Sequence, residues 1–351
     1  MMIKRYIDDY IENFYPYKMG RWCYEDGLIL NASWKMYEVT KEQKYYDFVE
    51  KYYDNMIDSD GIIKEYTLDE FNIDNIAGGI VLIDLYLESK KEKYLIAINT
   101  LYKQLTLHPR TEEGSFWHKK IYPNQVWMDG IYMGLVFYSK YAKVFGNESD
   151  IIDIQLQLNN FNNRLYDENR DLFVHAYDES KTMQWANKEN GRSPNVWSRA
   201  CGWVAMALVD IYDNLGLEIC KTLYLKLING LKKHLKEGML YQVVDMENKK
   251  GNYLETSGSA MVAYSMLKAT RLKICNLKVE GLIIFNAIKD NYYKKSEEDL
   301  KYHLQGICKV AGLDNIKRNG SFEYYMSEDV VSDEVKGVSP FILAYSEILR
   351  K

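Results

Sequence analysis

Six times along the chain a glycine opens a run that is apolar nearly all round: Gly27-Leu-Ile-Leu, Gly79-Ile-Val-Leu, Gly134-Leu-Val-Phe, Gly202-Trp-Val-Ala, Gly258-Ser-Ala-Met and Gly337-Val-Ser-Pro. These glycines are 52, 55, 68, 56 and 79 residues apart. After a short polar turn, each of the first five runs is followed by an amphipathic stretch, over 41–56, 91–105, 149–165, 217–235 and 279–293. An N-terminal helix over 2–14 supplies the sixth striped partner, for the last apolar run over 338–349. A helix apolar on every side belongs in a core, and one with a single apolar stripe belongs on its surface. The alternation therefore predicts two concentric rings, six helices inside and six outside. This is an all-α (α/α)6 barrel taking up 1–351 as a single domain. Only five prolines interrupt the chain, as long helices require. A solenoid of helical hairpins shares the pattern, but the pairing of the two chain ends and the loop lengths favour closure.

The loops divide into two kinds. Turns from an inner to an outer helix are short: Val39-Thr40, Ser89-Lys90, Phe145-Gly146-Asn147 and Asn214-Leu215-Gly216. The returns, over 57–75, 106–129, 166–199, 236–256 and 294–336, are long and rich in chemistry. In a closed ring all the returns emerge at one mouth, where the inner helices begin. Function is expected there, on loops held by a rigid scaffold, and the positive ends of the inner helices favour bound anions.

The densest return reads Phe116-Trp-His-Lys-Lys-Ile-Tyr-Pro-Asn-Gln-Val-Trp-Met-Asp129-Gly. Asp129, framed by an indole and a thioether, is placed where desolvation disfavours a charged carboxylate and so suits a general acid. Asp74 takes the equivalent place before the neighbouring inner run, so the two acids are expected to face each other. Paired carboxylates across a cleft suit glycoside hydrolysis. Both positions also suit ordinary helix N-caps. Arg199, in Trp197-Ser-Arg-Ala-Cys-Gly-Trp203, reads as a bidentate clamp on a carboxylate or as a buried ion pair. His118 and His175 lack metal-ligand spacing and serve either as ligand contacts or as core hydrogen-bonding groups. The mouth loops add Trp22, Tyr24, Lys119, Trp203, Glu255, Thr256 and Tyr325 as candidate contacts to substrate.

Composition narrows the classes. A net charge of −5 gives no basic footprint for nucleic acid. Five cysteines, odd in number and without a Cys-x-x-Cys pair, disfavour both a disulfide framework and a zinc ribbon. Charges at Lys4, Arg5, Asp8 and Asp9 break any signal-peptide stretch, and no run has the length of a membrane span. The expectation is a cytoplasmic protein that uses neither membrane nor metal.

Over nearly its whole length the chain resembles the unsaturated rhamnogalacturonyl hydrolases of glycoside hydrolase family 105 and, more loosely, the unsaturated glucuronyl hydrolases. The resemblance is carried by Trp22-Cys-Tyr-Glu-Asp-Gly-Leu, Ile73-Asp74-Asn-Ile, the Phe116–Asp129 stretch, Trp197-Ser-Arg-Ala-Cys-Gly-Trp203 and Glu255-Thr-Ser-Gly-Ser-Ala-Met. Gly306-Ile-Cys-Lys-Val-Ala-Gly312, Gly320-Ser-Phe-Glu-Tyr-Tyr and Lys336-Gly-Val-Ser-Pro-Phe extend it. It implies the same barrel and a reaction without cofactor. The substrate it implies is a pectin-derived oligosaccharide with a 4,5-unsaturated uronic acid at its non-reducing end, left by a polysaccharide lyase. Asp129 would protonate C4 of the vinyl ether and activate the water that adds at C5. Asp74 matches a second acid of the pocket, Lys119, His175, Trp197, Arg199 and Trp203 match pocket positions, and Tyr24 matches an aromatic wall. Gly78 departs from the pattern, standing where proline is expected.

Two other classes share parts of this reading. A sugar epimerase on the same barrel would want paired histidines as acid and base, whereas this mouth is richer in Asp. A non-catalytic oligosaccharide-binding protein would need the aromatics and Arg199 but no protonated acid.

Overall fold

The computed structural model describes residues 2–350. Its helices run, in chain order, α1 (Met2–Glu12), α2 (Tyr24–Thr40), α3 (Gln43–Met56), α4 (Asp74–Ala77), α5 (Leu82–Ser89), α6 (Glu92–Leu107) and α7 (Asp129–Val144). They continue as α8 (Glu148–Leu165), α9 (Ser198–Leu215), α10 (Glu218–Lys232), α11 (Thr256–Arg271), α12 (Lys278–Asn291), α13 (Phe322–Ser327) and α14 (Val335–Leu349). Going round the inside, α2 packs on α4, α4 on α7, α7 on α9, α9 on α11 and α11 on α14, and α14 returns to α2. The ring is closed. α9 and α11 are buried along almost their whole length, whereas α3 and α8 bury only one stripe each, such as Tyr45, Val49, Tyr52, Tyr53 and Met56 on α3. The alternation of all-round and striped helices thus becomes six inner and six outer positions, with α1 tied to Asp333 just before α14.

The second inner position departs from the sequence reading, which expects one continuous helix there. It is broken into α4 and α5, with the chain turning through residues 78–81. The reason is packing. A Cβ on Gly27 of α2 would lie 2.8 Å from the carbonyl oxygen of Ala77 and from the Cα of Gly78, so the two backbones already touch. On its other side, Gly78 lies flat against the Trp22 indole, where a Cβ would come within 2.8 Å of the ring. Proline at this position would meet the same ring.

Long returns fill the mouth and are stitched to one another by short antiparallel pairings. Gln125–Trp127 pairs with Ala176–Asp178, in the register Val126 opposite Tyr177. Single bridges join Asn72 to Lys119 and Trp197 to Val243. Ile307–Cys308 pairs with Val330–Val331. Each loop therefore holds its neighbour, and functional groups from different hairpins meet at fixed distances. Among the described residues no helix is long and apolar enough to cross a membrane, and no cluster of His, Cys, Asp and Glu has the arrangement of a metal site.

Candidate active site

Asp74 and Asp129 are the first residues of adjacent inner helices, α4 and α7. Neither serves as an N-cap. The cap positions are Ile73 and Met128, and no side-chain cap bond forms at either. Both carboxylates instead point toward groups from other loops.

Asp74 lies 2.7 Å from the Lys119 Nζ and 3.5 Å from the His118 Nε2. Burial works to raise its carboxyl, but the Lys119 ammonium overrides this and holds Asp74 below the usual carboxylate range. Burial also pulls the His118 imidazole down to about 4, against the pull of Asp74. His118 is therefore neutral at pH 7, and Lys119 is the cation that matters. The imidazole stacks on Trp127 with 4.3 Å between ring centroids, and Trp127 stacks with Tyr122 as well. A cavity of about 20 Å³ lies behind it, bordered by Ile73, Phe116, Ile131 and Gln157.

Asp129 is paired differently. Its Oδ2 lies 3.2 Å from the His175 Nε2, an ion-pair distance without hydrogen-bond alignment, and both atoms lack a hydrogen-bond partner among the described residues. On the far side of the ring, His175 Nδ1 is 2.7 Å from the Tyr325 hydroxyl. Burial pushes the Tyr325 phenol well above its ordinary value, so it keeps its proton. The Tyr325 hydroxyl thus holds the Nδ1 edge of the ring, and the Nε2 edge faces Asp129. His175 meets Trp127 edge to face and packs at a tilt on Trp197, with centroids at 5.5 and 4.9 Å. It is fully buried. Gln125–Trp127 and Ala176–Asp178 are the paired strands, so the backbone itself sets His175 against Asp129.

Of the two sequence readings of Arg199, the structure forms the buried ion pair. The Arg199 Nε donates to Ser257 Oγ at 2.8 Å, Nη2 donates to the Cys308 carbonyl, and Glu255 lies 3.8 Å away as a buried ion-pair partner. The guanidinium lies over Trp197 at 5.3 Å. Nη1 alone has no partner among the described residues. One edge of the fork is thus committed to the fold, and the other is buried without a partner among the described residues.

Three expected contacts to substrate are placed otherwise. Glu255 is fully buried and caps α11, accepting from the backbone N–H groups of Ser257, Gly258 and Cys308 and from Ser257 Oγ. Its oxygens are used up by a helix end. Thr256 gives its hydroxyl to the Gln305 carbonyl at 2.7 Å. Trp22 is a wedge under α4, with its indole N–H donating to the Asn75 carbonyl at 2.8 Å. Tyr24 and Trp203 meet edge to face at 6.4 Å, and Tyr132 packs on Trp203 at 4.9 Å, forming an aromatic side of the mouth. The sequence reading missed Lys18, which sits 5.7 Å over the Tyr24 ring and pairs with Glu25, and Gln242, which bonds both the Trp197 indole and Cys308 Sγ. A lone Lys or Gln in a loop carries no pattern that would single it out.

Residues 2–351 match the sequence pattern of Glycosyl Hydrolase Family 88. A solved glycoside hydrolase of family 105 from C. acetobutylicum ATCC 824 is 42% identical, covers 99% of each chain and superposes with a TM-score of 0.93. The unsaturated rhamnogalacturonyl hydrolase YesR of Bacillus subtilis is 22% identical over 286 residues, 77% of each chain. The unsaturated glucuronyl hydrolase of Bacillus sp. GL1 is 13% identical, with 92% of this chain and 85% of that one aligned at a TM-score of 0.65, and so shares the fold. With the closed double ring and these matches together, the chain belongs to glycosyl hydrolase family 88, among its family 105 relatives, and is a glycoside hydrolase.

Proposed function

We propose that this protein removes a 4,5-unsaturated uronic acid from the non-reducing end of lyase-generated oligosaccharides, with rhamnogalacturonan fragments of pectin as the substrate class. The whole chain would act as one barrel domain. The observation that carries the reading is the Asp129–His175–Tyr325 chain: a carboxylate oxygen without a hydrogen-bond partner among the described residues, beside an imidazole whose orientation is held from behind. Such a carboxyl group is free to exchange its proton with a ligand. Asp129 gives a proton to C4 of the vinyl ether, and the resulting carboxylate takes one from the water that adds at C5. The hemiketal so formed opens and expels the remaining sugar as an alcohol, so the proton count balances without a second acid. Asp74, kept ionised by Lys119, stabilises the positive charge that develops on the ring. The spare Nη1 of Arg199 suits the uronate carboxylate.

Relatives support this choice: YesR is an unsaturated rhamnogalacturonyl hydrolase, and the structurally similar Bacillus sp. GL1 protein an unsaturated glucuronyl hydrolase. The test is loss of the ultraviolet absorbance of the conjugated double bond on mixing enzyme with lyase products. Asp129→Asn keeps shape but cannot move a proton, and should lower turnover by roughly 10² to 10⁴. In D₂O the released sugar should carry deuterium at C4, and saturated galacturonides should be inert. Cleavage of saturated substrates, or Asp129→Asn turnover near that of the parent, would return the site to conventional two-carboxylate hydrolysis.

A further inference from the structure

Between Phe14 and Trp22 the chain forms a short strap, residues 15–21, just ahead of α2 at the mouth of the barrel. Both of its ends are fixed. Phe14 meets Phe48 of α3 edge to face at 5.4 Å, and Trp22 is wedged under α4 with its indole on the Asn75 carbonyl. The strap itself is lightly held. Among the described residues its backbone makes one hydrogen bond to the rest of the protein, from the Tyr17 N–H to Asp26 Oδ1 at 2.8 Å.

The strap is also strained. Lys18, Met19 and Gly20 follow one another in the left-handed region, with φ of +49°, +56° and +79°. Residues with a Cβ avoid that region, and two in succession are costlier still. Met19 is 89% exposed, so no packing of its side chain favours the conformation. Strain of this kind persists only where other contacts hold it, and it gathers in clamps and switch segments.

Here the contacts that hold it belong to the mouth. Lys18 Nζ lies 3.2 Å from both carboxylate oxygens of the buried Glu25 and 5.7 Å from the centre of the Tyr24 ring. Tyr24 is the ring that meets Trp203 on the aromatic side of the mouth. Lys336, in the first turn of α14, stands 5.1 Å from the centre of the Tyr17 ring. The Lys18 ammonium also adds to Lys119 in holding the Asp74 carboxyl low against burial, so the strap lies within electrostatic reach of that acid. Strain thus favours a released strap, and the mouth contacts favour a latched one.

We infer that the 15–21 strap is a gate on the mouth: released to admit substrate, latched over Tyr24 by Lys18 once a sugar is bound, and released again for the products to leave. In the released form Lys18 and Met19 relax into ordinary backbone while Phe14 and Trp22 stay in place. A ligand closes a gate only by favouring the latched form. A sugar against Tyr24 does so, because it gains contacts with Lys18 that the released strap cannot offer. The gate rests on the hydrolase reading only through the mouth as the place where substrate binds. Where a cover of this kind exists, its opening often limits turnover.

Trypsin reports the strap directly, since it cuts after Lys18 or Arg21 only where the chain can be drawn out straight. The probe is a lyase-generated unsaturated disaccharide, added to Asp129→Asn protein so that it is bound but turned over slowly, with tryptophan fluorescence recording its binding. Loss of the N-terminal fragment, followed by mass, should slow by about fivefold or more when the disaccharide is saturating. Without ligand, Lys18→Met lacks the latch and should be cut after Arg21 about fivefold faster than the parent. Met19→Gly removes strain and should be cut about twofold to threefold more slowly. Each rate is taken relative to a synthetic peptide of the same residues 12–24, which removes any preference of trypsin for the altered sequence. With Asp129 intact, the two variants should also move KM in opposite directions, up for Lys18→Met and down for Met19→Gly. Unchanged cleavage while fluorescence shows the disaccharide bound, or variants that fail to shift cleavage in opposite directions, would make the strap a fixed wall and overturn the gate, leaving the hydrolase reading intact. A disaccharide that the parent neither binds nor cleaves would count against the hydrolase reading instead, and the gate would then stand or fall on the cleavage of the two variants alone.

Discussion

His175 and His108 are both buried histidines on mouth loops, and their second nitrogens decide what each can do. In His175, Nδ1 is taken by the Tyr325 hydroxyl and Nε2 is left to face Asp129. In His108, Nε2 donates to the Trp117 carbonyl at 2.8 Å and Nδ1 faces the Gln104 amide at 3.4 Å, so both nitrogens are spent inside the fold. The first arrangement orients a reacting group and the second pins a loop. Tyr325→Phe should therefore leave the protein folded while freeing the His175 ring to turn or change tautomer. We expect kcat to fall by about tenfold to a hundredfold, less than the loss for the acid itself, with KM little changed. Unaltered kcat in this variant would show that the Tyr325 contact contributes only to packing.

Among the elements, the inner helices show how close approach positions the site. A Cβ at Gly258, in the first turn of α11, would lie 2.7 Å from the carbonyl carbon of Ser198 and 2.9 Å from the backbone nitrogen of Arg199. Both are backbone atoms at the start of α9, so neither can swing aside. Gly258→Ala should therefore push α11 away from α9, at a cost of about 1 to 3 kcal/mol in stability. The same shift pulls Ser257 and Glu255 off the Arg199 guanidinium, so activity should fall together with the denaturation midpoint. Gly216→Ala, with φ at +65° but no atom within 4 Å of its Cβ, serves as the comparison. It strains a turn at the opposite end of α9 and should lower stability without changing KM. Loss of substrate affinity in both variants alike would separate the α9–α11 contact from the site.

Over the whole molecule, one set of contacts closes the ring and two buried histidines on a mouth loop contribute to its response to acid. The two ends of the chain meet where Tyr6 donates to Asp333 at 2.6 Å and Tyr10 to the carbonyl of the same residue, just before α14. Opposite them, the 106–129 return is secured by His108 and His118. Burial lowers both imidazoles to about 4 from the ordinary 6.5. A group whose folded value is depressed contributes stability that is complete above its unfolded value and is lost as pH falls through the folded one. Acidification from about pH 6.5 to 4 should therefore weaken the fold, by up to about 3 kcal/mol for each histidine, because protonation in the unfolded chain is not matched in the folded one. Urea unfolding at pH 7 and pH 4.5 measures this. In His108→Gln the drop between the two pH values should be smaller than in the parent. An identical drop in parent and variant would place the acid sensitivity elsewhere.

Helix order, the two-ring architecture and the mouth were legible in the chain because each depends on local periodicity: a stripe or its absence over some fifteen residues, and the length of the next loop. The acids Asp74 and Asp129 were legible for the same reason, since both stand where an inner helix begins. Tertiary structure decided the rest. Whether an acid caps a helix or faces a neighbour depends on which loop crosses it, so Glu255 became a cap while Asp129 stayed open. Trp22 reads as a candidate contact to substrate but lies under α4, where its ring packs against Gly78 and its indole N–H bonds the Asn75 carbonyl. The break between α4 and α5 and the divided fork of Arg199 arise from segments distant in sequence. Periodicity reports how a segment meets an average core. It carries no record of which particular neighbour it will meet, and that neighbour determines whether a polar atom is satisfied or left for a ligand.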